Sequence, residues 1–486
     1  MTQPAPRSEP AAERGVARLQ MLIGGEWRFG QAEFEVVDPY RGERVARVPE
    51  SSLKDLDDAL QAALAAKPKV AAMPGYERAA LLRRVSALLL ERAAEIAEIM
   101  SRETGKSIKD ARAEVIRSQD TLLLSAEEAI RIQGEQVPLE GSAMGAGKLA
   151  LLLRFPVGVV AGITPFNAPF NLACHKIAPA LAAGNSIVLK APPQASWVVS
   201  KLVEMFADAG TPPGFVNLLY GNTVGPALVR DPRVDFVTFT GSSRVGAEIK
   251  AASGLRRVAL ELGGNGPTIV HADADIAEAA PQCARNSMRL AGQSCISVQN
   301  VYVHESLYER FVERLVAEVG KLRLGDPLDP ATDVGTLIDE RAAQRVEQWV
   351  DEARAAGARA LTGGRRHGAA YEPTVLVDVA RSMRVVCEEV FGPVVTVQPY
   401  RDLQALFEDI SANPYGLHCG VFTKSLQVAF DAIRALRVGG VIINGTSTWR
   451  TDQLAYGGVK SSGIGREGPK YAIRDMTEER LVLFNL

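Results

Sequence analysis

The sequence predicts an α/β fold built as two successive parallel-sheet domains, and three observations carry that prediction. Short apolar runs alternate with amphipathic stretches of helical length, which is the pattern of βαβ units. That alternation occurs twice, on either side of residue 265. The chain has 486 residues, more than one hydrophobic core ordinarily organises.

Residues 1–20 (MTQPAPRSEPAAERGVARLQ) are rich in Pro, Ala and charge and lack an apolar stretch, so a flexible tail is expected rather than a signal peptide. From Leu53 to Ile132 apolar residues recur at helical spacing, as at Leu81-Leu82, Val85 and Leu88-Leu89, which predicts several helices. The first strand series is VGVVAGI (157–163), SIVLKA (186–191), VNLLYG (216–221), FVTFTG (236–241) and RRVALEL (256–262). The second begins near Ile269 and runs past Ile443, with strands such as VQNVYVH (298–304) and VGGVIIN (438–444). Two extended pieces fit neither series: residues 135–155 and the terminal ERLVLFNL (479–486). An apolar terminus of this kind is expected to be tied down, as a strand added to a neighbouring subunit. The resulting division is a first domain of 21–134 and 156–264, a second of 265–470, and a small β extension of 135–155 and 471–486.

Composition narrows the function classes. A net charge of −2, from 55 basic and 57 acidic residues, gives no global field for nucleic acid or anionic membrane. No apolar run reaches the length of a membrane span. The five cysteines, Cys174, Cys283, Cys295, Cys387 and Cys419, form no C-x-x-C pair, so neither a disulfide framework nor a metal site is expected, and a cytoplasmic setting follows.

Four segments carry candidate chemistry. GQSCIS (292–297) sets Cys295 on a small-residue loop between a helical stretch and a strand. A catalytic thiol there needs a route to thiolate, donors for an oxyanion, and a group to activate water. ELGGNGP (261–267) closes an apolar strand with Glu261, at the strand end where active sites of open α/β sheets lie. PFNAPF (165–170) holds Asn167 in a rigid turn, with an amide suited to oxyanion donation. FTGSSRVG (239–246) is a strand end, then Gly241-Ser242, then a helix, the arrangement in which free N–H groups face a phosphate. The G-x-G-x-x-G match at 463–468 lacks a preceding strand and is set aside.

Taken in order, these segments resemble the aldehyde dehydrogenase superfamily. VLKAPPQ, containing Lys190, is similar to its cofactor lysine segment, and EEVFGP (388–393) to its nicotinamide-ribose motif. The resemblance runs from Ile23 to Leu486 and implies a Rossmann-like cofactor domain, an α/β catalytic domain and a β oligomerisation extension in a homodimer or homotetramer. It also implies NAD or NADP as cofactor, with Lys190 on the adenosine ribose, Gly241 and Ser242 at the pyrophosphate, and Glu389 and Phe391 at the nicotinamide riboside. Cys295 would attack the aldehyde, Asn167 would hold the oxyanion, and Glu261 would activate the water that hydrolyses the thioester. Relatives that release product to coenzyme A generally lack that glutamate, so a free acid is expected. Pro193 stands where NAD-preferring relatives carry a glutamate, so dual cofactor use or a lean to NADP is expected.

AEVIRSQ (113–119) and STWRTDQ (447–453) resemble a subgroup acting on lactaldehyde, phosphonoacetaldehyde, sulfolactaldehyde and, without phosphorylation, glyceraldehyde-3-phosphate. There the arginines matching Arg117 and Arg450 lie near the substrate's distal charge, which guanidinium suits by donating parallel bonds. Ser294, where several phosphate-handling relatives have arginine, disfavours a phosphorylated triose. A compact anionic aldehyde, phosphonoacetaldehyde first, is the expected substrate. A coenzyme A-acylating enzyme or a non-enzymatic binding protein is the less favoured alternative.

Overall fold

The computed structural model describes residues 15–486. Five parallel strands form the centre of an eight-stranded sheet, in the order Arg257–Glu261, Phe236–Thr240, Val159–Ile163, Ser186–Lys190, Val216–Leu219. These strands are apolar on both faces because helices cover both sides. Chain order reverses between Val159–Ile163 and Phe236–Thr240, which opens a crevice at their carboxyl ends. Register puts Lys190 beside Ile163 and Leu219, and Thr240 beside Glu261, so the candidate residues share one edge.

The helix Pro169–Ala183 lies wholly buried against this sheet; Pro169 sits in its first turn and Gly184, at φ 88°, ends it. A proline there forfeits no helical hydrogen bond, and glycine takes the left-handed backbone without a Cβ clash. Four helices spanning Leu53–Ala129 supply the predicted helical layer. Ser52 caps the first through a reciprocal bond with Asp55, and Ser107 caps the fourth.

The second sheet has seven strands, in the order Arg359–Thr362, Thr374–Val377, Val394–Tyr400, Asn300–His304, Pro267–Val270, His418–Phe422, Gly440–Ile443. Only the first of these is antiparallel to its neighbour. A third, antiparallel sheet joins Glu135–Val137, Lys148–Pro156 and Thr477–Asn485.

Two sequence expectations change. Residues 1–14 of the predicted tail lie outside the described residues, but its remainder is ordered: Ala17–Arg18 pairs with Arg44–Glu50, and Leu19 is buried. The apolar terminus is tied down on its own chain, Thr477 opposite Pro156 through Asn485 opposite Lys148, and forms the outer strand of that sheet with its other edge open. The second domain does not extend to residue 470. Gly463–Ile464 pairs antiparallel with Leu260 and Glu261 at the edge of the first sheet, and Ile473 and Met476 join the first core. A two-residue edge strand is too short to show alternation, which is why the sequence pattern sets the boundary too late.

Candidate active site

Where the two α/β bodies meet, a cavity of about 450 Å³ is lined by Cys295, Glu261 and Asn167 together. The loop bearing Cys295 follows the helix Ile276–Met288 and passes through three successive left-handed residues, Leu290 (φ 57°), Ala291 (φ 51°) and Gly292 (φ 70°). Non-glycine residues in that region store strain, and the surroundings must hold them there. Gln293 does much of this: its side chain donates to the Leu290 carbonyl and accepts from the Ile338 N–H at 2.9 Å. Its carbonyl accepts from Asn167 Nδ2 at 2.9 Å, which fixes the amide orientation and faces a donor nitrogen toward the loop.

The two glycines of ELGGN exist for close approach. A Cβ on Gly264 would sit 2.6 Å from the Cys295 carbonyl oxygen, and one on Gly263 2.4 Å from a Glu389 carboxylate oxygen. Glu261 is 4% exposed, and neither carboxylate oxygen has a hydrogen-bond partner among the described residues. A buried acid without donors is costly when charged, so it is held for a purpose other than folding. The Cys295 sulfur lies 3.0 Å from Tyr456 Oη.

Residues 27–482 match the aldehyde dehydrogenase family. The chain belongs to that family. It is 44% identical to the 3-sulfolactaldehyde dehydrogenase of Priestia aryabhattai over 97% of this chain and 99% of the relative. Aldehyde dehydrogenase 21 of Physcomitrella patens, solved with its product succinate, superposes with a TM-score of 0.95 at 40% identity, covering 97% and 99% of the two chains. The NADP-dependent glyceraldehyde-3-phosphate dehydrogenase of Bacillus halodurans C-125, solved with NADP, superposes at 0.94 with 36% identity, covering 96% and 99%. The chain is thus an NAD(P)-dependent aldehyde dehydrogenase, with the α/β architecture its sequence predicted.

In this dehydrogenase the cavity continues from Cys295 toward Gly241, Ser242, Glu389 and Phe391. Those residues fit a nicotinamide dinucleotide. Ser242 caps the helix Ser243–Ala252, its side chain accepting the Val245 N–H, and that helix begins directly after the strand Phe236–Thr240. Burial raises Glu389 to about 7, against the Gly264 N–H and Arg345, leaving an acceptor suited to ribose hydroxyls. Phe391, at φ 47°, packs edge-on against Phe166. Lys190 does not line this cavity; it lies farther along the strand edge, 8% exposed, and burial lowers its pKa to about 8. Glu50 is the carboxylate whose field opposes that shift, and it also accepts the Asn222 and Thr223 N–H groups. Distance in sequence hides Glu50 from a reading of local motifs.

At the other end Arg117 and Arg450 line the cavity as expected, but neither is free. Arg117 bonds Asp452 through two nitrogens at 3.0 and 2.7 Å, and Arg450 bonds Glu467 at 2.7 Å. Lys176 also bonds Glu467, at 3.0 Å. His175 lies beneath the site, 1% exposed, with its ring nitrogen 3.2 Å from both Asp452 and Arg450. Although burial pushes both acids up, His175, Arg117 and Arg450 hold Asp452 ionised, and Lys176, His175 and Arg450 hold Glu467 ionised. Glu261 goes the other way. Burial raises it well above the usual carboxylate range, charged Glu467 adds to the shift, and Lys176, Arg450 and Arg466 only partly offset it.

Proposed function

We propose that this dehydrogenase oxidises a small anionic aldehyde to its free carboxylic acid, with Cys295 as nucleophile and Glu261 as the base for hydrolysis. The observation that carries the chemistry is the meeting of Cys295, Asn167 and an unpartnered, buried Glu261 on one cavity. The Cys295 sulfur bonds to the aldehyde carbon, and the oxygen takes hydrogen bonds from Asn167 Nδ2 and the Cys295 N–H. The bound nicotinamide supplies the hydride acceptor. Collapse of the oxyanion leaves a thioester on Cys295; Glu261 then takes a proton from water, whose oxygen adds to the acyl carbon and expels the thiolate.

Three features support an anionic substrate. Arg117, Arg450 and Lys176 face two committed carboxylates, Asp452 and Glu467, so positive charge is in excess if Glu261 stays neutral. Arg117 keeps 35% of its side chain exposed to the cavity end. The relative at 44% identity acts on 3-sulfolactaldehyde, which moves that sulfonate ahead of phosphonoacetaldehyde; lactaldehyde and glyceraldehyde-3-phosphate complete the test panel. Sulfonate or phosphonate aldehydes are expected to exceed uncharged ones in kcat/KM. In Arg117→Gln, KM for them rises about tenfold while that for an uncharged aldehyde stays level. A wild-type preference for uncharged aldehydes overturns the anionic reading.

We also propose use of both cofactors, because Pro193 supplies no carboxylate to repel a 2′-phosphate. Glu50 tempers the lean to NADP through its own negative charge, which repels a 2′-phosphate beside Lys190 more than its field helps by keeping that lysine protonated. In Glu50→Gln the ratio of kcat/KM for NADP over NAD is expected to rise about fivefold, read in paired steady-state assays. An unchanged ratio removes Glu50 from the cofactor site.

The three-stranded sheet is proposed as the oligomerisation element of a cytoplasmic homodimer or homotetramer. The exposed Leu481, Leu483 and Phe484 on its terminal strand support that role, and five unpaired cysteines suit a reducing compartment.

A further inference from the structure

A thiol in this cavity has little reason to ionise. Burial raises Cys295 to about 11, and the negative charge of Glu389, joined by that of Glu261 once it ionises, opposes a thiolate. On the other side stand the Tyr456 hydroxyl and the charge of Arg450. Tyr456 is 2% exposed and cannot swing away: its N–H donates to the Glu467 carbonyl at 3.1 Å and its carbonyl accepts from the Glu467 N–H at 2.6 Å. The His418 ring packs against it at 5.0 Å, and the Arg450 guanidinium lies 3.7 Å over the ring centroid. Burial, with Cys295 beside it, raises the phenol well above its usual range, so it keeps its proton and acts as donor. Phenylalanine would preserve every packing contact just named. The hydroxyl adds only the bond to sulfur.

We propose that Tyr456 is a further catalytic residue, whose phenol O–H donates to the Cys295 sulfur and stabilises the thiolate, with the Arg450 guanidinium stacked on its ring to polarise the donor. Ionisation releases the thiol proton to solvent, so the effect is readable in thiol reactivity. Once carbon bonds to sulfur, the sulfur becomes a poor acceptor and the phenol is released from it. The inference rests on Cys295 being the nucleophile.

The test is alkylation of the full-length protein by iodoacetamide between pH 6 and 10. The Cys295 thiolate displaces iodide, and mass spectrometry of its peptide separates it from the other cysteines. Losing one charge-assisted bond raises the thiol pKa by about one pH unit, lowering the thiolate fraction about tenfold. The more basic thiolate is about threefold more nucleophilic, so Tyr456→Phe is expected to react about threefold more slowly along the rising limb. Placing 3-fluorotyrosine at position 456, a stronger donor, shifts the rate the opposite way, which a packing role does not explain. Equal rates in all three proteins overturn the role of Tyr456. If complete alkylation of Cys295 leaves aldehyde oxidation intact, it is the nucleophile reading that fails.

Discussion

Cys295→Ala is expected to lower aldehyde oxidation by at least about four orders of magnitude. The size follows from what the sulfur does: without a covalent adduct, hydride would have to leave a hydrated aldehyde that nothing in the cavity is placed to deprotonate. Glu261 is built for a later step, and burial with Glu467 beside it disfavours its ionised form. The substitution removes one small, partly exposed side chain from a loop whose shape is set by Gln293 and Asn167, so the fold should persist. Cofactor affinity, measured by fluorescence titration, is expected to stay within about twofold, because no cofactor-facing residue is altered. Stopped-flow absorbance should then show neither a burst nor a steady rate of reduced cofactor. Full activity in this variant would defeat the covalent mechanism.

How much of this site is legible in the sequence depends on locality. Cys295, Glu261, Asn167 and Ser242 each sit at a strand end or on a small-residue loop, and both are local patterns. The network behind them is not local. Lys176 belongs to a buried helix, Arg450 and Asp452 to a loop after the second sheet, and Glu467 to a segment that returns to the first. Periodicity encodes which face is buried but not which charge meets which, so the sequence offers Arg117 and Arg450 as free cations when each already has a carboxylate. Tyr456 is hidden for a different reason. Its sequence neighbourhood, YGGVKSSGIGREG, reads as a glycine-rich turn, and only the pairing of Tyr456 with Glu467 brings the phenol to Cys295. The fold itself is more legible, because successive strand–helix alternations each repeat the same local rule, whereas the partner of the terminal strand is a long-range fact.

Glu261→Gln is expected to separate the two halves of the reaction. Glutamine mimics the protonated acid that burial and Glu467 favour in the resting site, so neither folding nor attack by Cys295 should suffer. The first turnover should therefore give a burst of about one reduced cofactor per active site, followed by a steady rate about a thousandfold below wild type. Mass spectrometry should find the acyl group retained on Cys295. In the wild type the sign of the pH dependence follows from the same displacement. Because burial and Glu467 displace its ionisation to higher pH than an ordinary carboxylate, and only the ionised form takes the proton from water, the base is switched on later in the pH range. Hydrolysis should accelerate as pH rises through that raised value and level off above it, while the Glu261→Gln protein loses this limb. If the substitution instead suppressed the burst along with turnover, Glu261 would be acting on the thiol before attack, and the order of roles would have to be reversed.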